Sequence, residues 1–266
     1  MYRTCVDHVQ REVNLTRKPG RIISLCPSIT ETLYALGLGD KVVGRTRYCI
    51  HPQDAVHQAD VVGGTKQIDR GMIERLKPDL IVAEKEENPK GMIEDLEREF
   101  PVYVTNVESY EEALKMIVDL GVITDHKIQA ERLAEDIVEG FGKLTSLSCR
   151  VGYLIWRKPY MAAGKNTYIH SMLHQCGFEN VFQDLEGRYP VVDVKIIRQQ
   201  QPEFLFLSSE PFPFSQEHLK EIQASLPSVK AVLVDGEMFS WYGVRMLKAV
   251  DYLNGLLQQL KRERVN

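Results

Sequence analysis

Two stretches of the chain share one pattern of hydrophobic and polar positions. IDRGMIERLKPDLIVAE, residues 68–84, aligns without a gap on VDVKIIRQQQPEFLFLS, residues 192–208, at a constant offset of 124 residues. In each copy an Asp (Asp69, Asp193) stands where a helix start needs a side-chain acceptor, and an apolar Ile73 or Ile197 marks the buried face. A Pro then ends the helix, and an apolar run predicts a buried strand. The repeat predicts two lobes of like build, with a cleft between them suited to a small molecule.

The flanking pattern extends both copies. Arg21 to Leu25 reads as a buried strand broken by Cys26-Pro27, and Ser28-Ile29-Thr30-Glu31 has the spacing of a capping box that opens a helix ending near Gly37. Further strands are predicted at 41–44, 80–83 and 101–105, with helices near 71–76, 89–100 and 109–120. The second half repeats the alternation, with strands at 150–155, 204–207 and 231–234. A closing helix over 241–261 carries Met246, Val250, Leu253, Leu257 and Leu260 on one face. Alternating strands and helices predict an α/β protein with mainly parallel sheets. From Thr124 to Ser148, Ile128, Leu133, Ile137, Phe141 and Leu144 recur at spacings of three to five, which predicts one helix. Some 22 helical residues would span roughly 33 Å. The organisation that follows is a first lobe over 1–123, an interlobe helix over 124–148 and a second lobe over 149–266.

Composition narrows the function. A net charge of −4 without a basic face argues against nucleic acid as a partner. No run approaches the length of a membrane-spanning helix, which argues against membrane insertion. The first twenty residues hold no apolar h-region, so the chain as written is expected in the cytoplasm, or outside the membrane if a signal peptide has been removed. Five cysteines, an odd number at wide spacing, predict reduced and mostly buried thiols. Nothing in the pattern asks for a second copy, and a monomer is expected.

Candidate chemistry is sparse. His170 and His174, at i and i+4 with Cys176 following, could share a metal on one helix face; Cys49, His51, Asp54 and His57 form a second candidate group. Both lack a complete ligand pattern and read better as ordinary polar positions, so no metal site is assigned. Ser208-Ser209-Glu210 follows a strand but is not a nucleophile elbow, and Gly63-Gly64-Thr65-Lys66 is not a phosphate loop. What stands out is aromatic and basic residues at strand ends: Arg45, Arg47 and Tyr48; Trp156, Arg157, Lys158, Tyr160 and Met161; Phe239, Trp241 and Tyr242. Aromatic faces and guanidinium groups together suit a large, flat, partly anionic ligand.

At these residues the chain resembles a known family, the helical-backbone (class III) solute-binding proteins of ABC importers, and within it the cobalamin and iron-chelate receptors. RIISLCPSITE, LKPDLIVA, AAGKNTYIHSMLHQCGFENVF and LVDGEMFSWYG carry the resemblance, which runs almost the full length. It implies two Rossmann-like lobes bridged by one long α-helix, a ligand between them and no enzymatic activity. It places the family's ligand-contacting positions on Tyr48, Thr65, Met161, Tyr189, Glu237 and Trp241. Thr65, Met161 and Trp241 stand where the family has Trp, Phe and Arg, and Glu237 where it has Asp. It implies a cobalamin or other corrinoid, haem or ferric siderophore as ligand, none of them covalent, and an ABC permease as partner. The family's two acidic permease-docking positions fall on Gly71 and Lys195, with Glu74 one turn beyond the first.

Three functions remain open on these residues. The first is non-enzymatic binding of a corrinoid or related metal chelate in an ABC uptake system. The second is an intracellular protein that handles or senses the same chelates without docking on a permease. The third is a metal-dependent enzyme built on Cys49 and His51.

Overall fold

The computed structural model describes residues 2–265. The chain divides into two compact units: one comprises residues through Val107, Glu111–Ile137 and Tyr242–Arg245; the other Glu108–Tyr110, Val138–Trp241 and Met246 onward.

The first unit opens with the antiparallel hairpin β1 (Arg3–Val6) and β2 (Glu12–Leu15), then alternates β3 (Ile22–Ser24), α1 (Pro27–Ala35), β4 (Val42–Arg45), β5 (Asp60–Val61), α2 (Arg70–Leu76), β6 (Leu80–Glu84), α3 (Lys90–Leu96), β7 (Val102–Thr105) and α4 (Tyr110–Thr124). Its sheet has the order β5-β4-β3-β6-β7, every pair parallel. The buried strands present Ile23, Ile81 and Val104 to Ile73, Leu76, Ile93 and Leu96 of the helices. α5 (Lys127–Gly142) follows, and the boundary between the units falls inside it.

The second unit contains β8 (Cys149–Trp156), β9 (Tyr160–Ala162), α6 (Tyr168–Gln175), β10 (Phe178–Asn180), β11 (Val191–Val192), α7 (Val194–Gln200), β12 (Phe204–Ser208), α8 (Gln216–Ser225), β13 (Lys230–Val234), α9 (Glu237–Ser240) and α10 (Arg245–Val265). β10, β8, β12 and β13 run parallel, while β9 folds back antiparallel on the second half of β8 and carries β11. Its core joins Leu154, Leu205 and Leu207 of the sheet to Ile197 and Ile222 of the helices.

The repeat is real at atomic detail. Asp69 accepts from Met72 N and Asp193 from Ile196 N, so both caps form. Both helices end in a left-handed residue, Lys77 (φ 47°) and Gln201 (φ 49°), directly before the Pro. In each unit an Arg then braces that end: Arg21, just before β3, donates to Leu76 O, and Arg150 of β8 donates to Gln200 O, both at 2.7 Å.

Three expectations are corrected. Ser28 and Glu31 make no capping box: α1 starts at Pro27 with Cys26 as its uncapped N-terminus, and Glu31 is buried against Arg245 at 2.9 Å. The helix expected over 124–148 is α5 alone, 16 residues and about 24 Å long. Thr124 still belongs to α4, and Asp125 breaks the chain with φ 60°. The closing helix begins at Arg245, after the separate short α9. All five thiols are free, and all but Cys5 are buried, as the composition predicts.

Candidate functional site

In the first unit, the strand ends are tied together by Asn88. Its amide donates to Leu25 O (3.2 Å) after β3 and to Thr65 O (2.8 Å) after β5, and its carbonyl accepts Glu84 N (2.8 Å) at the end of β6. Sequence reading missed this residue, because a loop Asn carries no pattern of its own. Thr65 is thereby buried, and the adjacent Gly64 lies against the ring of Tyr48, which is 55% exposed. Arg47 is exposed beside it, its backbone N donating to Gly63 O at 2.8 Å. Arg45, by contrast, is committed to its own unit: its guanidinium donates to Val56 O (2.8 Å), Thr46 O and Cys49 O (both 3.2 Å). Tyr242 is buried with its hydroxyl 3.5 Å from Cys26 Sγ. Both residues therefore bond within the first unit. Glu84 is a buried carboxyl that accepts Glu86 N (2.6 Å) and Glu87 N (2.9 Å), and burial pushes its pKa up to about 7.

In the second unit the β8–β9 turn carries Trp156, 40% exposed and edge-on to Phe212 at 5.8 Å. Arg157 turns to α8 and pairs with Glu221 at 2.6 Å. Tyr160 and Met161 are half-buried in β9, paired in register with Val192 and Val191. Tyr189 is half-buried, with the Arg188 guanidinium 5.8 Å from its ring centre. Glu237 opens α9, its backbone N bonded to Asp235 Oδ1 at 3.1 Å. Phe239 is fully buried against Tyr153, ring centres 5.2 Å apart, so it is a core residue and not a ligand contact. Trp241 is half-buried and donates its indole N–H to Glu210 Oε1 at 2.9 Å. Glu210 belongs to the Ser-Ser-Glu run after β12 that the sequence offered only as a failed nucleophile motif. Its partner Ser208 is a structural hydroxyl, accepting from Tyr153 OH and donating to Glu210 O.

The metal candidates do not assemble. Among the described residues no three His, Cys, Asp or Glu side chains converge as a metal would require. His170 and His174 lie with ring centres 6.4 Å apart, and Asn180 Nδ2 approaches His170 Nδ1 at 3.3 Å. Cys49 is buried between Thr30 (3.0 Å) and Thr46 (3.1 Å), and burial raises its thiol pKa. Gly71 and Lys195 are both exposed and occupy the same place, the second residue of α2 and of α7. Glu74 is paired with Arg70 at 3.2 Å. Among the described residues, no helix is long and apolar enough to cross a membrane.

Comparison with known proteins agrees with this architecture. The vitamin B12-binding protein of Pectobacterium carotovorum is 27% identical over 251 residues, covering 91% of this chain and 90% of the relative. That of Vibrio parahaemolyticus is 30% identical over 194 residues, covering 71% and 70%. Among solved structures, the periplasmic vitamin B12-binding protein of Vibrio cholerae superposes with a TM-score of 0.74 at 25% identity, over 92% of this chain and 98% of its own. A periplasmic haem-binding protein of the same organism shares the fold, with a TM-score of 0.76 at 19% identity over 89% and 98%. The model of the periplasmic binding protein family matches residues 22–232, and the chain belongs to that family.

Proposed function

We propose that this protein is the substrate-binding component of an ABC uptake system and that its ligand is a corrinoid of the cobalamin type or a related metal chelate, bound without chemical change. The observation that carries the reading is the exposed rings of Tyr48 after β4 and Trp156 at the end of β8, with half-buried Tyr189 before β11 and Trp241 after α9, in a chain whose relatives over nine-tenths of its length are vitamin B12-binding proteins. Ligands of open α/β sheets sit outside the carboxyl ends of the strands, and ring faces there match a flat macrocycle. The test is titration with aquocobalamin, cobinamide, hemin and ferrichrome, followed by tryptophan fluorescence and calorimetry. Trp156 and Trp241 are the only tryptophans, so ligand at these strand ends quenches the whole signal. Saturable quenching by at least one compound is expected; no quenching and no heat with any of them overturns the reading.

Gly71 and Lys195 favour a second reading, in which the same ligand class is bound without docking on a permease. Where the resemblance implies an acid that meets an Arg cluster on the permease, the second unit presents a cation, and like charges across an interface slow association and cost binding energy. Gly71→Glu with Lys195→Glu is expected to raise affinity for a cobalamin-type permease in nanodiscs, with strong salt dependence. Equal affinity of the unaltered protein excludes this second reading.

A further inference from the structure

We propose that Glu210 is the positioning residue for Trp241, holding the indole as a preformed wall for the ligand; this rests on the binding reading above. The indole N–H is a donor with one direction, so a single fixed acceptor sets the plane of the ring. Glu210 Oε1 supplies that acceptor at 2.9 Å and takes the Ser240 hydroxyl as well, at 2.5 Å. Neither donor sits on the same element as the carboxylate: Glu210 follows β12, while Ser240 and Trp241 end α9.

The backbone around this junction is arranged to keep the carboxylate in place. Ser208 Oγ donates to Glu210 O (2.6 Å) and accepts from Glu210 N (3.3 Å). Gly236 N donates to Ser209 Oγ at 2.8 Å, joining the β12 and β13 ends. A Cβ on Gly236 would lie 2.5 Å from both Glu210 Cγ and Ser208 Oγ, so only glycine lets the two strand ends approach closely enough for the side chain to reach across. A wall fixed before the ligand arrives does not lose its rotamer freedom on binding. Glycine and serine here serve the geometry of the carboxylate and tryptophan.

Protonation gives the arrangement a signature that packing alone lacks. Burial raises the Glu210 pKa, as do the neighbouring carboxylates Glu237 and Asp235 on the β13–α9 side, while Ser240 and Trp241 hold it down. On another side Tyr153 of β8, which senses Glu210, has a pKa raised above its ordinary range by burial and stays neutral. As pH falls, Glu210 takes up its proton and the charge-assisted bond to the indole weakens.

Two independent measurements test the assignment. In ligand-free Trp156→Phe protein, Trp241 is the sole tryptophan, and excitation selective for tryptophan reads it alone. Its emission is expected to show an acid transition displaced upward from the ordinary carboxylate range, because burial raises the Glu210 pKa. Glu210→Gln, which keeps an acceptor oxygen, abolishes the transition, and Glu210→Ala makes Trp241 more readily quenched by acrylamide. Unchanged acrylamide access in Glu210→Ala overturns the proposal, whether or not the protein binds any chelate. In the otherwise unaltered protein, Glu210→Ala is expected to raise the dissociation constant of cobinamide about tenfold, and Glu210→Gln to restore most of it. In a Trp241→Phe background, which lacks the N–H, Glu210→Ala should add nothing. An equal loss in both backgrounds shows that Glu210 acts otherwise than through Trp241 and overturns the proposal. Failure of the unaltered protein to bind every chelate overturns the binding reading instead, and leaves the acrylamide result to decide on Glu210.

Discussion

α1, which follows β3 in the first unit, and α6, which follows the β8–β9 hairpin in the second, are built in opposite ways. α6 is an amphipathic helix with a side-chain cap: Thr167 accepts from His170 N at 3.1 Å, and Tyr168, Ile169, Met172 and Leu173 are buried. α1 has no side-chain cap and buries Ser28, Thr30, Glu31 and Thr32. Beside the apolar Ile29 and Leu33, the side chains of Thr30, Thr32 and Glu31 are held by hydrogen bonds. Thr30 donates to Ser24 Oγ at 2.8 Å and Thr32 to Ser28 O at 2.7 Å, while Val244 N reaches Thr32 Oγ1 at 3.2 Å. Gly243, at φ 78°, lets that returning segment lie directly on Thr32, where a side chain would collide. Arg245 then closes on Glu31, 214 residues away in sequence. One helix is specified by its own residues, the other by a segment supplied from near the end of the chain.

The largest effect expected from this difference is at Arg245. Its side chain and that of Glu31 are 4% and 8% exposed, so removing one leaves a charge buried without its counter-ion. Arg245→Ala is expected to cost about 3 to 5 kcal/mol, against about 1 kcal/mol for Thr167→Ala at the α6 cap. Replacing both charges, Glu31→Leu with Arg245→Met, should recover most of the loss. Urea unfolding measures all of them. A cost for Arg245→Ala no larger than for Thr167→Ala would show that α1 does not depend on the distant segment.

The ends of β6 and β12 form a second contrasting pair, since Glu84 and Ser208 occupy equivalent places in the repeat. Both fold back on their own turn, Glu84 accepting Glu86 N at 2.6 Å and Ser208 accepting Glu210 N at 3.3 Å. Only Glu84 titrates. Its carboxyl, 2% exposed as a residue, is raised from 4.5 to about 7 in the folded protein. Between these values the folded chain holds a proton that the unfolded chain has lost, so stability is highest below the unfolded pKa and falls as pH rises to about 7. The loss is of order 3 kcal/mol. Glu84→Gln removes it while keeping an acceptor oxygen, so the difference in unfolding free energy between the two proteins should open across that window. The same difference for Ser208→Ala should be flat with pH. A constant gap for Glu84→Gln would mean that the carboxyl is not buried as described.

Which features were legible in the sequence follows the same division. Asp69, Lys77-Pro78 and the strand after them interact within one short segment, so their pattern is visible in order along the chain, and again at Asp193. Ser28 and Glu31 have capping-box spacing, but spacing cannot reveal that Arg245 binds the carboxylate. The α4–α5 break hinges on one left-handed Asp125, a residue type that tolerates that conformation without requiring it. At the strand ends, aromatic identity marked Tyr48, Trp156 and Trp241 but could not say which rings turn inward, as Phe239 and Tyr242 do. Asn88 escaped notice, and Glu210 drew it only as part of a failed nucleophile motif, because each acts by joining loops that are far apart in sequence.

The smallest effect tests whether the repeated blocks are equivalent in energy as well as in shape. Asp69 and Asp193 cap α2 and α7 through the N–H of the residue three positions on, at 3.0 Å and 2.7 Å. Both side chains are exposed, both helices have seven residues, and both end in a left-handed residue before proline. Loss of the acceptor leaves one backbone N–H to water and removes a negative charge from the positive end of the helix. Asp69→Ala and Asp193→Ala should therefore each cost about 1 kcal/mol. Because the two caps share no partner, the double variant should cost the sum to within about 0.5 kcal/mol. Asp69 has one added tie, its backbone N donating to Val62 O at 2.8 Å, which survives the substitution. Equal and additive losses in chemical denaturation would confirm that one local device is used twice; a loss confined to Asp193 would show that the tie to Val62 holds the start of α2 without its cap.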